Sequence, residues 1–83
     1  MKSFYVTKGV YLKAEQDNEF RLFIFKSWAR FKKEDWGDVC ESDKLANDGD
    51  PDYALAAYVY KNGVKIWISG SGTYATVMFP DEY

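Results

Sequence analysis

YALAAYVYKNGVKIWIS, residues 53–69, decides how this chain folds. Asn62 and Gly63 stand between two apolar runs, and Asn-Gly is the favoured pair for a two-residue type I′ turn between antiparallel strands. Such a turn predicts a register, with Lys61 opposite Val64, Val59 opposite Ile66, Tyr58 opposite Trp67 and Ala57 opposite Ile68. Side chains alternate across a strand, so this register places Leu55, Ala57, Val59, Ile66 and Ile68 on one face. Tyr58, Tyr60, Lys65 and Trp67 fall on the other. Gly70-Ser71-Gly72 then turns the chain into TYATVMF (73–79), which adds Ala75, Val77 and Phe79 to the aliphatic face. Tyr74, Thr76 and Met78 join the aromatic one.

Upstream of the hairpin the period changes. Phe20, Phe23, Ile24, Trp28 and Phe31 recur at helical spacing, with Arg21, Lys26, Arg30 and Lys33 on the other side. This predicts a helix over about 17–33, capped by Asp17 or Asn18. Asp38-Val39-Cys40-Glu41 has the form of a capping box and predicts a shorter helix over about 38–47. Gly49 and Pro51 are placed to stop it, Gly49 through a left-handed cap. FYVT (4–7) is β-compatible, and VYLKAE (10–15) reads equally as a helical turn or a continued strand. Helices followed by strands imply an α+β domain over residues 1–83. We expect an antiparallel sheet of three to four strands with two helices packed mainly on one face, helix 17–33 on the aliphatic one.

The net charge of −2 hides a block structure. Residues 1–33 hold eight Lys/Arg against three Asp/Glu, while residues 34–52 hold eight Asp/Glu against Lys44 alone. Histidine is absent, which removes Ser-His and Cys-His nucleophile pairs, most zinc sites and the commonest general base. The single cysteine, Cys40, cannot form an internal disulfide and suits a reducing cytoplasm. Its acidic neighbours disfavour thiolate chemistry, and it reads as a half-buried helix residue. Asp48, Asp50 and Asp52 copy positions 1, 3 and 5 of a calcium loop, but Tyr53 stands where glycine is needed and Val59 where glutamate is needed. No catalytic residue, metal ligand or cofactor is assigned. The longest apolar run, Ala54 to Tyr60, is too short to cross a bilayer.

Two candidate working surfaces remain. One is acidic: Glu34, Asp35, Asp43, Asp48, Asp50 and Asp52, left without an intramolecular task unless the basic residues 1–33 fold against them, and some of these are expected to face a basic protein partner. The other is the aromatic face, Tyr58, Tyr60, Trp67 and Tyr74, expected to meet a protein partner or a second copy. Trp36 is expected to be structural, closing the corner between the helices on Phe31 or Val39.

RFKKEDWGDVCESDKLAND (30–48), KIWI (65–68) and TVMFPDEY (76–83) resemble a family of small uncharacterised proteins of plasmids and conjugative elements. Trp36-Gly37-Asp38 with Cys40, Asp43-Lys44 and Asn47-Asp48, and the ending Phe79-Pro80 with Glu82-Tyr83, carry the likeness. Where that family has polar and charged residues after KIWI, this chain has SGSGT (69–73). The resemblance implies a mobile-element setting. With the acidic block it leads us to expect a small non-enzymatic protein-binding module, an inhibitor of a host nucleic-acid-handling defence system. The alternatives are a single-stranded nucleic-acid binder that uses the aromatic face, and a structural homodimer.

Overall fold

In the computed structural model, which describes residues 3–83, the chain is α+β. The order is β1 (Ser3–Val6), α1 (Lys8–Gln16), α2 (Asn18–Lys32), α3 (Glu41–Gly49), β2 (Leu55–Val59), β3 (Lys65–Gly70) and β4 (Tyr74–Met78). The four strands form one sheet in the order β1-β4-β3-β2. β2, β3 and β4 are antiparallel, as expected, but β1 lies parallel to β4, so the sheet is mixed. Among the described residues no helix is long and apolar enough to cross a membrane.

α1 resolves the ambiguous segment 10–15 as helix. The Thr7 hydroxyl accepts the Val10 N–H, and Thr7 also donates to Glu82 Oε1 at 2.7 Å. Glu82 Oε1 accepts the Phe79 N–H as well, so the C-terminal turn is tied to the start of α1. α2 begins as expected, with Asp17 accepting the Phe20 N–H at 3.2 Å. It ends in a left-handed residue, Glu34 (φ 62°). The Asp35 N–H reaches the Arg30 carbonyl and the Glu34 N–H that of Phe31, the two bonds of a Schellman stop.

The hairpin corrects the expected register. The turn forms where predicted, with Asn62 and Gly63 both left-handed (φ 59° and 76°) and the Val64 N–H on the Lys61 carbonyl. Yet the Tyr60 N–H, not that of Lys61, takes the Val64 carbonyl, so Lys61 is an extra residue on the first strand. Tyr58 therefore pairs with Ile66 and Ala56 with Ile68, and β2 presents the opposite face from the one expected. The gain is burial. Tyr58 is 1 % exposed among Ile66, Ile68 and Trp36, and its hydroxyl donates to the Asp35 carbonyl at 2.8 Å. An aromatic side chain removes more surface from water than Ala57 would in its place.

The core thus lies between α1–α2 and the sheet face bearing Ala56, Tyr58, Ile66, Ile68, Ala75 and Val77, against Val10, Phe20, Ile24, Trp28 and Phe31. Trp36 is buried, with its ring 5.4 Å from that of Phe31. Its neighbour Gly37 (φ 73°) forms a bridge to Ala57. A Cβ there would collide with the Ala57 carbonyl and the Tyr58 ring, so glycine is required on both counts.

Candidate protein-binding groove

Where α3 sits defines the site. The expected capping box does not form: the Asp38 N–H is committed to the Ala57 carbonyl at 2.7 Å, and its side chain lies 3.5 Å from Lys65. The helix instead starts at Glu41 after Cys40, which is exposed rather than half-buried, with its Sγ 3.3 Å from Ser42 Oγ. Gly49 is not left-handed; Asp50 ends α3 by donating its N–H to the Ala46 and Asn47 carbonyls. Asn47, 7 % exposed, locks α3 to the sheet edge. Its side-chain amide donates to the Leu55 carbonyl at 3.0 Å and accepts the Leu55 N–H at 3.2 Å. An amide can satisfy both backbone groups of one residue at once, which hydrophobic patterning does not reveal.

Between α3, the 38–40 loop and the outer face of the sheet lies a groove of ≈ 430 Å³. Val39, Ala46, Leu55, Ala57 and Trp67 give it an apolar lining, and Asp38 and Asp43 stand with Lys65 around it. Lys65 is paired with Asp38, which leaves Asp43, in the first turn of α3, as the uncompensated charge of the lining. Glu41 has its own weak contact with Lys44 at 3.6 Å. Leu45 of α3 is 72 % exposed beside this acidic turn. An apolar lining within a net acidic rim suits a segment that is basic and partly apolar.

The acidic set does not act as one surface. Asp35 is engaged: Arg30 donates to it twice, at 2.8 and 3.2 Å, and the Gly37 N–H a third time. That guanidinium, helped by the Gly37 amide, holds the Asp35 carboxyl below the usual carboxylate range. Asp48 accepts the Trp36 indole N–H at 2.8 Å. Glu34 is the left-handed stop of α2. The Asp35 and Asp48 carboxylates are thus engaged inside the fold, contrary to the expectation, whereas the role of Glu34 is one of its backbone. Asp50 and Asp52 flank Pro51 beyond the end of α3, with the Asp52 carbonyl accepting the Gly72 N–H at 2.9 Å. Only Asp43 of the six lines the groove.

The aromatic set is divided too, because β2 is inverted. Tyr58 is buried in the core, and Tyr60 lies under α2, 5.2 Å from the Phe20 ring, with its hydroxyl on Asp17. Trp67 and Tyr74 remain on the outer face, where Trp67 packs edge-on to Tyr83 at 5.5 Å and Tyr74 to Tyr5 at 5.7 Å. The groove joins one residue from each expected set, Trp67 and Asp43. Val39, Ala46 and Leu55 were not expected there. The two-residue register would turn Leu55 toward the core, and the inverted register brings it out.

The cations of α2 and its end lie elsewhere. Arg21, Lys26, Arg30, Lys32 and Lys33 belong to α2 and its end, and α2 covers the opposite face of the sheet. Arg30 also stacks on the Tyr58 ring at 4.9 Å and Lys32 on Trp28 at 5.7 Å. Among the described residues no three Cys, Asp or Glu side chains gather as a metal cradle. No protein-family model matches the chain, and neither does any curated protein or solved structure.

Proposed function

We propose that this chain is a non-enzymatic protein-binding module whose working surface is the groove between α3 and the outer face of β2 and β3. The observation that carries the reading is the presence in one concavity of an apolar lining (Val39, Leu55, Ala57, Trp67) and of Asp43, a carboxylate that Lys65, paired with Asp38, does not neutralise. Its partner is a protein segment with lysine or arginine next to apolar residues. The resemblance to plasmid and conjugative-element proteins supports a setting in which that partner handles nucleic acid for host defence, and a basic, phosphate-binding segment of such an enzyme has the required chemistry. Holding that segment in the groove would withhold it from phosphates. Single-stranded nucleic acid is a weaker occupant, since rings that stack bases need cations beside them. The groove offers Lys65 alone, already paired with Asp38.

The test compares capture of host proteins by the parent chain and by the combined variant Asp38→Asn, Asp43→Asn, Trp67→Ala. A partner held by the parent, released by moderate salt and lost in the variant supports the reading. Equal capture by both chains refutes it.

A further inference from the structure

The two edges of the sheet are treated differently. At β2, Trp36 and Asp38 exchange backbone hydrogen bonds with Ala57, and Asn47 satisfies both backbone groups of Leu55. At β1 the Ser3 and Thr7 N–H groups go to the Thr73 and Val77 carbonyls of the β4 side. In a parallel pair the intervening residues turn their backbone groups outward, so Phe4 and Val6 each offer an N–H and a C=O at the open edge. Among the described residues none pairs with them. Ser-Phe-Tyr-Val carries no charge, no proline and no bulge, the usual devices that stop an edge strand from pairing.

Beside this edge is a groove of ≈ 610 Å³ between β1, α1 and α2. Tyr5, Tyr11 and Phe25 border it and are 61, 52 and 55 % exposed, an unusual density of uncovered rings. Glu15 and Arg21 also line it, one charge of each sign.

We propose that β1 pairs antiparallel with β1 of a second copy, joining two sheets into one of eight strands. A two-fold axis at Tyr5 sets Phe4 opposite the partner's Val6 and makes four backbone hydrogen bonds, using every outward group of Phe4 and Val6. Tyr5 meets its symmetry mate on the outer face beside Tyr74, and Phe25 approaches its mate on the helix face. The groove suits a copy of itself in charge, because it holds both Glu15 and Arg21 and so does not repel its own image. A foreign strand would need no such balance. Half-exposed rings of roughly 200 Å² each leave about 300 Å² of aromatic surface per copy. Together with the paired backbone that reaches only the lower end of specific interfaces, so the dimer is reversible rather than permanent. Both α3 grooves, at the far edge from β1, stay open.

The test is sedimentation of the full chain from about 5 to about 500 µM, with amide exchange measured at both ends of that range. The mass rises from one chain to two, and the Phe4 and Val6 amides gain protection with concentration. Tyr5→Lys, which sets two cations on the axis, and Val6→Pro, which deletes an outward N–H, each weaken dimerisation at least about tenfold. The exchange readout uses the unmodified chain, so it decides even if a variant fails to fold. A single-chain mass throughout overturns the proposal. So does a dimer whose Phe4 and Val6 amides exchange equally fast at both concentrations, or a monomer whose edge is protected only by a foreign strand.

Discussion

Replacing Trp36 by phenylalanine separates the two roles of its side chain. The ring is 4 % exposed against Phe31, and the indole N–H meets Asp48 Oδ1 at 2.8 Å. Phenylalanine keeps the aromatic contact but gives up on the order of 40 Å² of buried surface, about 1 kcal/mol at 25 cal/mol per Å². The hydrogen bond to a carboxylate contributes about 1 kcal/mol more, discounted because Asp48 is exposed. Trp36→Phe should therefore cost about 2 kcal/mol, and Trp36→Ala about 3–5 kcal/mol because a cavity is added. Asp48→Ala should cost about 1 kcal/mol, and Asp48→Asn less, since the amide oxygen still accepts. In a double-mutant cycle, measured by urea unfolding followed by far-UV circular dichroism, Trp36→Phe and Asp48→Ala should couple by about 1 kcal/mol. A coupling within about 0.3 kcal/mol of zero would refute the pairing and return Asp48 to the set of carboxylates free to meet a partner.

Three further outcomes follow from single features of the fold. Glu34→Gly should stabilise the chain by about 0.5–1 kcal/mol, because a left-handed residue with a Cβ is relieved; a lower melting temperature would contradict the Schellman stop. The Glu82 carboxyl is held below its usual range by the Thr7 hydroxyl and the Phe79 and Gly9 amides. A depressed folded value means that this stabilisation is fully present above the unfolded value near 4.5 and is lost as pH falls through the folded one. The melting-temperature gap between parent and Glu82→Gln should therefore close as the pH is taken well below 4.5, and a gap independent of pH would dismiss the link. Cross-strand nuclear Overhauser contacts should join Tyr58 to Ile66 and Val59 to Lys65; contacts of Tyr58 with Trp67 instead would restore the two-residue register.

The fold class was legible because periodicities and turn residues are local. Asp17, the 3.6-residue spacing from Phe20 to Phe31, and Asn62-Gly63 each act through their nearest neighbours, and the structure places α2 and the turn where they imply. What failed depends on distant packing. Asn-Gly closes the same turn whether or not Lys61 bulges, and the choice is made by the burial of Tyr58 against Asp35, Trp36 and Ile66. Asp38 could cap a helix, but its backbone is taken by Ala57. β1 was legible as a strand but not as parallel, since its partner lies some seventy residues away. The two candidate surfaces were read from charge and alternation, and each lost members when those side chains found partners inside the fold. Nothing in the sequence distinguishes Asp48, bound to Trp36, from Asp43, which remains in the groove.

The measurement closest to the central claim is photo-crosslinking in host cells from single reactive positions. Val39, Asp43 and Trp67 probe the groove, and Lys26, on the far side of the sheet, serves as control. Groove positions should give a discrete protein adduct, insensitive to nuclease and absent from the control. Adducts that disappear with nuclease, or arise equally from Lys26, would contradict a groove built for a basic protein segment.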